Sequence, residues 1–175
     1  MARVIPAKLP IIKCVEAATG LQIDVALGAA NGCRAVDLVT AAVHANPPLR
    51  PLVLVLKALL AQQGLNEVYT GGVGSYTLLT LVLAHLKTEA AAVADGLAEA
   101  AEVLRGDVGV LLRRFLRRYG VEMDTQATAV SVARGGLVPM RELLSWRAAG
   151  GREMARPRPG HVLIEDPQHD GCVWR

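Results

Sequence analysis

The stretch Leu49-Arg50-Pro51-Leu52-Val53-Leu54-Val55-Leu56-Lys57-Ala58-Leu59-Leu60 decides the fold class. Its apolar side chains fall on nearly every side of a helical wheel, so residues 49–63 read as a buried helix that stops at Gly64. Gly71-Gly72-Val73-Gly74 then makes a loop that feeds a second buried helix over residues 75–86. Upstream, Ala35, Leu38, Val39, Ala42 and Val43 share one side of a helix over residues 34–45, with Asn31 as its cap and Pro47-Pro48 as its stop. Helices this apolar must pack on one another, and they make the chain mostly α.

The β component lies at the two ends. Leu9-Pro10-Ile11-Ile12-Lys13-Cys14-Val15 is short and β-branched. After a turn at Thr19-Gly20, Leu21, Ile23, Val25 and Leu27 alternate with Gln22, Asp24 and Ala26, the period of a half-buried strand. The short link makes these two an antiparallel hairpin. Residues 88–104 are rich in Ala and Glu, and are either helix or a weakly ordered linker. Asp107 caps a helix running to residue 119, residues 127–133 predict a strand before Gly135-Gly136, and residues 141–147 a short helix. Residues 152–160, with Pro157 and Pro159, read as a loop, and residues 161–165 as a last short strand.

With 175 residues, 52% hydrophobic and 20% charged, the chain suits one domain or pieces of two, and is too apolar for disorder. Lys57 interrupts the greasiest run before it reaches the roughly 18 residues of a membrane span, and the N-terminus lacks a signal-peptide core. Cys14, Cys33 and Cys172 are an odd number at no metal-ligand spacing, which fits a reducing compartment. The expectation is a soluble, intracellular chain with no membrane partner.

Charge is unevenly placed. Residues 1–104 carry 7 Lys/Arg against 8 Asp/Glu, residues 105–158 carry 11 Arg against 5 acids, and the last 17 residues carry one Arg against three acids. The arginine-rich middle is either a solvated face or an electrostatic footprint for nucleic acid. Only 3% of residues are aromatic, so RNA contacts here would be mostly to backbone.

Four features carry chemistry. Asp24 is the carboxylate on an otherwise apolar strand, where a metal ligand would be held rigidly, though a solvated strand residue looks the same. Lys57 sits in an apolar helix, where a charge must snorkel, pair, or meet a ligand phosphate. Gly71-Gly72-Val73-Gly74-Ser75 ahead of a helix is a plausible anion site, although it matches neither the P-loop nor the dinucleotide fingerprint. His161, His169, Asp170 and Cys172 are metal-ligand types in the wrong order and spacing for a zinc finger. On these signals alone, function stays open between a phosphate-ligand enzyme and a helical interaction module.

Ala7-Lys8-Leu9-Pro10-Ile11-Ile12-Lys13, Thr19-Gly20-Leu21-Gln22-Ile23-Asp24-Val25 and Asn31-Gly32-Cys33-Arg34-Ala35 resemble the non-canonical poly(A) RNA polymerases of the Trf4 type. The likeness continues in order through residues 49–57, the specific run Leu65-Asn66-Glu67-Val68-Tyr69-Thr70-Gly71-Gly72-Val73-Gly74-Ser75-Tyr76, residues 109–120, Gly135-Gly136 and Ile164-Glu165-Asp166-Pro167. The resemblance implies the end of a nucleotidyltransferase palm over residues 1–30, followed by a helical central domain over residues 31–175. It implies Asp24 as the third of three carboxylates holding two Mg²⁺ (or Mn²⁺), and Gly32, Lys57, Ser75 and Tyr76 as nucleotide-binding positions. The implied activity is template-independent addition of adenylates from ATP to RNA 3′ ends in nuclear RNA surveillance. A zinc-knuckle RNA-binding protein and a helicase are the implied partners.

Three departures stand against this pattern. The family's Gly-Ser loop and paired Asp-x-Asp precede the third carboxylate by more than the 23 residues available here, so two metal ligands are missing and the chain alone is expected to be inactive. Arg113-Arg114-Phe115-Leu116-Arg117-Arg118 is basic where relatives tend to be acidic, and Gln168-His169-Asp170-Gly171-Cys172 replaces the Asn-Asp-Val-Gly-Arg run after Asp166-Pro167. The alternatives are a non-catalytic RNA- or protein-binding helical module and a terminal uridylyltransferase.

Overall fold

The computed structural model describes residues 2–5, 11–26, 32–96, 107–143, 161–168 and 173–174. The chain divides into two compact units, residues 1–39 and 40–175.

The first unit is an antiparallel sheet of β1 (Ala2–Ile5), β2 (Ile11–Val15) and β3 (Gln22–Ala26) in that order. The expected hairpin is β2–β3, with Lys13 opposite Asp24 and Ile12 opposite Val25. Its turn is held by the Glu16 carboxylate, which accepts from the N–H groups of Ala18 (3.0 Å) and Thr19 (2.7 Å) and from the Thr19 hydroxyl. These hydrogen bonds, the hydroxyl's first, hold Glu16 below the usual carboxylate range. β1 was not foreseen, because four residues show no usable alternation. β3 also departs from the half-buried expectation: every residue of it is exposed, since nothing in the unit covers Ile23 and Val25. Leu9, Pro10, Leu27 and Asn31 lie outside the described residues.

α1 (Gly32–Ala45) leads into the second unit, and α2 (Leu49–Gln62), α3 (Ser75–Ala94) and α4 (Val108–Arg117) form its helical layer. The expected stops and the Asp107 cap hold. Gly64 takes φ +66 just past α2, and the Asp107 carboxylate accepts from Val110 N–H at 3.0 Å to open α4. A 3₁₀ turn (Val68–Thr70) precedes α3, and one π turn (Arg118–Glu122) follows α4.

α2 corrects the sequence expectation. Only Leu49, Leu52 and Leu56, spaced to share one face, are buried, while Leu54 is 56% exposed and Lys57 is exposed beside it. A helix apolar all round needs neighbours all round, and α2 has them on one side. α3 is the buried helix instead. Leu78, Val82, Leu83 and Leu86 meet Leu52 and Leu56 of α2 and Leu111 and Phe115 of α4 in one core cluster. It runs eight residues past the expected end at residue 86, so residues 88–94 are helix, while residues 97–106 lie outside the described set. By length and composition α3 could cross a membrane, which the sequence expectation did not anticipate. Its burial and its paired Glu89 make it a core helix.

A second sheet closes the unit in the order β5 (Gly136–Pro139), β4 (Thr128–Ser131), β6 (Ile164–Glu165) and β7 (Val173–Trp174), with β4 and β6 parallel. Its alternation serves two cores: Val130 and Ile164 face the helical cluster, whereas Ala129 and Leu163 pack with Val138, Met140 and Leu143. Thr88 ties α3 to the β4–β5 turn through its hydroxyl, which donates to Gly135 O at 3.0 Å. A Cβ at Gly136 would lie 2.1 Å from that Thr88 oxygen, at φ +132, so only glycine fits there. Residues 140–143 are helical, and the rest of the short helix expected to residue 147 lies outside the described residues.

The two faces of α2 predict opposite outcomes. Leu52→Ala, fully buried, should cost about 2–5 kcal/mol of unfolding free energy. Leu54→Ala should stay within about 0.5 kcal/mol. Urea denaturation of both variants checks this.

Candidate functional site

The loop before α3 is built by close backbone approach. Leu65 O accepts from Val73 N–H and Glu67 O from Gly72 N–H, each at 2.8 Å, which folds residues 65–73 back on themselves. A Cβ on Gly72 would lie 2.3 Å from Leu65 O, a backbone atom that cannot move aside. The turn therefore delivers the first residues of α3 with their N–H groups free of helical partners.

Tyr76, in that first turn, is half-buried and its hydroxyl is fixed from two directions. It donates to Asp166 Oδ1 at 3.2 Å and accepts from Gln168 Nε2 at 2.8 Å. Asp166 is buried, and its Oδ1 also accepts from Gln168 N–H at 2.9 Å. Because the carboxylate only accepts, the hydroxyl proton points to it and the Gln168 amide must donate. Gln168 Oε1 is then the leftover acceptor, buried with no hydrogen-bond partner among the described residues. Burial raises the Tyr76 pKa, and the nearby Asp166 charge raises it further, so the hydroxyl stays protonated at neutral pH.

The remaining expected residues lie on several elements of the two units. Ser75 is exposed beside Tyr76, and Lys57 is exposed on α2 with no partner among the described residues. Of the three outcomes open to a lysine in an apolar helix, the structure shows the one in which the ammonium reaches solvent, and the expectation that α2 is buried around it is corrected. In the first unit Gly32 begins α1, exposed and with open space where a Cβ would go. Asp24 is exposed as expected, but its Oδ2 lies 3.4 Å from Lys13 Nζ across the hairpin. Among the described residues no three His, Cys, Asp or Glu side chains cluster as a metal site. Of the other metal-ligand candidates, His161 is exposed, and His169, Asp170 and Cys172 lie outside the described residues.

A second polar cluster went unforeseen because it joins residues far apart in sequence. Glu89, 2% exposed on α3, accepts from Arg114 Nη1 (2.7 Å) and Arg118 Nη2 (2.9 Å), while Arg118 Nη1 also meets His85 Nδ1. His85 is fully buried and edge-on to Phe115, whose ring packs on Tyr119. Burial would raise Glu89, but the Arg114 hydrogen bond and the Arg118 charge outweigh it and hold the carboxyl below its usual range. Burial, then the Arg118 charge, pushes His85 down to about 4. The only sequence signal was His85 and Glu89 four apart in an apolar helix, with Arg114 and Arg118 four apart in another.

Residues 107–171 match the family model described as Cid1 family poly A polymerase. The chain is 30% identical over 162 residues to the poly(A) RNA polymerase cid14 of Schizosaccharomyces pombe, covering 92% of this chain and 22% of that protein. It is 34% identical over 142 residues to the inactive non-canonical poly(A) RNA polymerase protein Trf4-2 of Drosophila melanogaster, covering 79% and 33%. A solved structure described as the polymerase core of TRAMP, an RNA surveillance complex, aligns with a TM-score of 0.73 at 28% identity, over 96% of this chain and 49% of that one. The chain thus spans about a fifth of the length of the first curated relatives it matches.

The buried pair predicts an acid-sensitive fold. The native pKa of His85, about 4, lies below its ordinary 6.5, so the unfolded state takes up the proton first. This contribution is whole above pH 6.5 and falls as pH drops toward 4, at up to about 1.4 kcal/mol per pH unit. Glu89, also lowered, adds loss in the same direction at more acid pH. Denaturation at pH 7, 6 and 5 should show the decline, and His85→Asn should flatten it.

Proposed function

We propose that this chain, whose residues 107–171 belong to the Cid1 family of poly(A) polymerases, supplies the nucleotide-binding central domain of a template-independent RNA 3′-adenylyltransferase. The observation that carries this is the convergence of Tyr76, Asp166 and Gln168, from 90 and 92 residues apart, at the start of α3. Tyr76 offers its ring face to a base, and the hydrogen bonds to its hydroxyl hold the far end of the side chain in place. Ser75 and the free N–H groups of the first turn face phosphate oxygens, the arrangement helix starts favour for anions. Lys57, exposed and without a partner among the described residues, meets the triphosphate; for Gly32, in the other unit, a nucleotide-binding role is what the resemblance implies.

The reaction takes a divalent metal, Mg²⁺ or Mn²⁺, and a nucleoside triphosphate. The described residues do not form a complete metal site: Asp24 is one carboxylate, and its charge is opposed by Lys13. Asp24 therefore contributes at most one ligand, and this chain's own part is to bind and orient the nucleotide. The RNA 3′ end is the acceptor, and work in the nucleus with a zinc-knuckle RNA-binding protein and a helicase follows from the resemblance to Trf4-type enzymes.

Calorimetric titration with ATP tests this reading. Tyr76→Ala should weaken binding about tenfold or more through lost stacking. Gly72→Ala should weaken it too, because the loop must shift, with helical circular dichroism retained in both. No ATP binding to the wild-type chain, or binding indifferent to Tyr76, would overturn the proposal. In a primer-extension assay with Mg²⁺ and ATP the 175-residue chain should not elongate RNA; robust tailing would refute its inactivity alone.

A further inference from the structure

The outer side of the Glu89 cluster is a cleft of about 400 Å³ lined by Glu89, Arg113, Arg114, Arg117, Arg118 and Glu122. Four guanidinium groups face two carboxylates there. Glu89, nearly inaccessible, sits at its base and holds Arg114 and Arg118, whose side chains are 30% and 19% exposed. Two arginines on the cleft wall are thus oriented before any ligand arrives. Arg113 is exposed and has no partner among the described residues. Arg117 pairs with Glu122 at 2.6 Å, but with side chains 74% and 51% exposed that pair is weak and open to exchange.

We propose that this cleft is a second anion site, which holds the sugar–phosphate backbone of the RNA upstream of its 3′ end. Arg113 and Arg117 stand one helical turn apart, about 6 Å along the axis, so they address successive anionic groups and not a single one. Guanidinium forks match phosphate oxygens bidentately. Among the described residues no aromatic side chain lines the cleft, so the contact it offers is to backbone and not by base stacking. Glu89 lies thirteen residues after Tyr76 on the same helix, roughly 20 Å along its axis and about 140° round it, so a strand reaching from one to the other passes round α3. Contact confined to backbone lets the cleft hold that strand without sequence preference. The proposal rests on the RNA-adenylating reading of the Tyr76 site.

The test is fluorescence anisotropy of a labelled oligouridylate about 15 nucleotides long, titrated with the whole chain at several KCl concentrations. The paired variant Arg113→Gln with Arg117→Gln spares the Glu89 cluster, and circular dichroism verifies its fold. Its affinity should fall about tenfold, and the slope of log affinity against log salt should become shallower by about 1.4, two contacts' worth for a single strand. The paired variant Arg113→Lys with Arg117→Lys should restore the slope and part of the affinity. Binding of the glutamine pair within twofold of wild type at the same slope would overturn the proposal. So would a lysine pair no better than the glutamine pair. An oligoglutamate that binds more tightly than the RNA would also overturn it and assign the cleft to an acidic protein segment. ATP titration of the wild-type chain keeps the two readings separate. ATP binding with the cleft indifferent to RNA overturns this proposal alone, whereas RNA binding lost in the glutamine pair with no ATP binding overturns only the nucleotide reading.

Discussion

The carboxylate of Glu89 is buried, and the second unit is organised around keeping it satisfied. A lone charge in that position would be prohibitively costly, and two guanidiniums from α4 and the turn after it supply the compensation. The pairing fixes α4 against α3 in one register, because Arg114 and Arg118 must both reach one carboxyl group. It also forces His85, one turn before Glu89, to stay neutral against Arg118. Tyr119 then completes the seam by donating its hydroxyl to Leu81 O at 3.0 Å. An apolar substitute for Glu89 alone would leave two partly buried arginines facing one another.

α3 joins the parts of the molecule that matter for chemistry. Its first turn carries Ser75 and Tyr76 next to Asp166 and Gln168, and its last third carries Glu89 beneath the arginine cleft. Between them its side chains form the centre of the core. A helix buried over this length is a stiff rod, so the distance between its two polar ends is set by helix geometry. The Tyr76 cluster and the arginine cleft are therefore held at a fixed separation along one rigid helix.

Much of this was legible in local sequence. Alternation of Ile23 and Val25 with Gln22 and Asp24 located β3, Gly64 and Asp107 located helix boundaries, and the run through Gly72 and Ser75 located the loop that opens α3. These signals depend on residues within a few positions of each other, which is why they survive in one dimension. The failures have a common cause. Lys57 and Leu54 seemed buried because their neighbours are apolar, yet burial depends on what stands opposite a face, and α2 is covered on one side. β3 failed in the same way, with a correct period and no covering layer. For residues 88–94 the sequence left helix and linker open, and packing decided for helix, with Thr88 and Glu89 anchoring it to the β4–β5 turn and to α4.

The sequence by itself determined the element types, the caps and glycine stops, the basic character of residues 105–158 and the resemblance to Trf4-type polymerases. Each follows from backbone preference, side-chain period or residue identity along the chain. Only the tertiary structure decided that Tyr76 meets Asp166 and Gln168, that Glu89 gathers Arg114 and Arg118, and that α3 and not α2 is the buried helix. Those outcomes join groups 25 to 92 residues apart, and their energies come from desolvation and pairing that exist only once distant elements have packed.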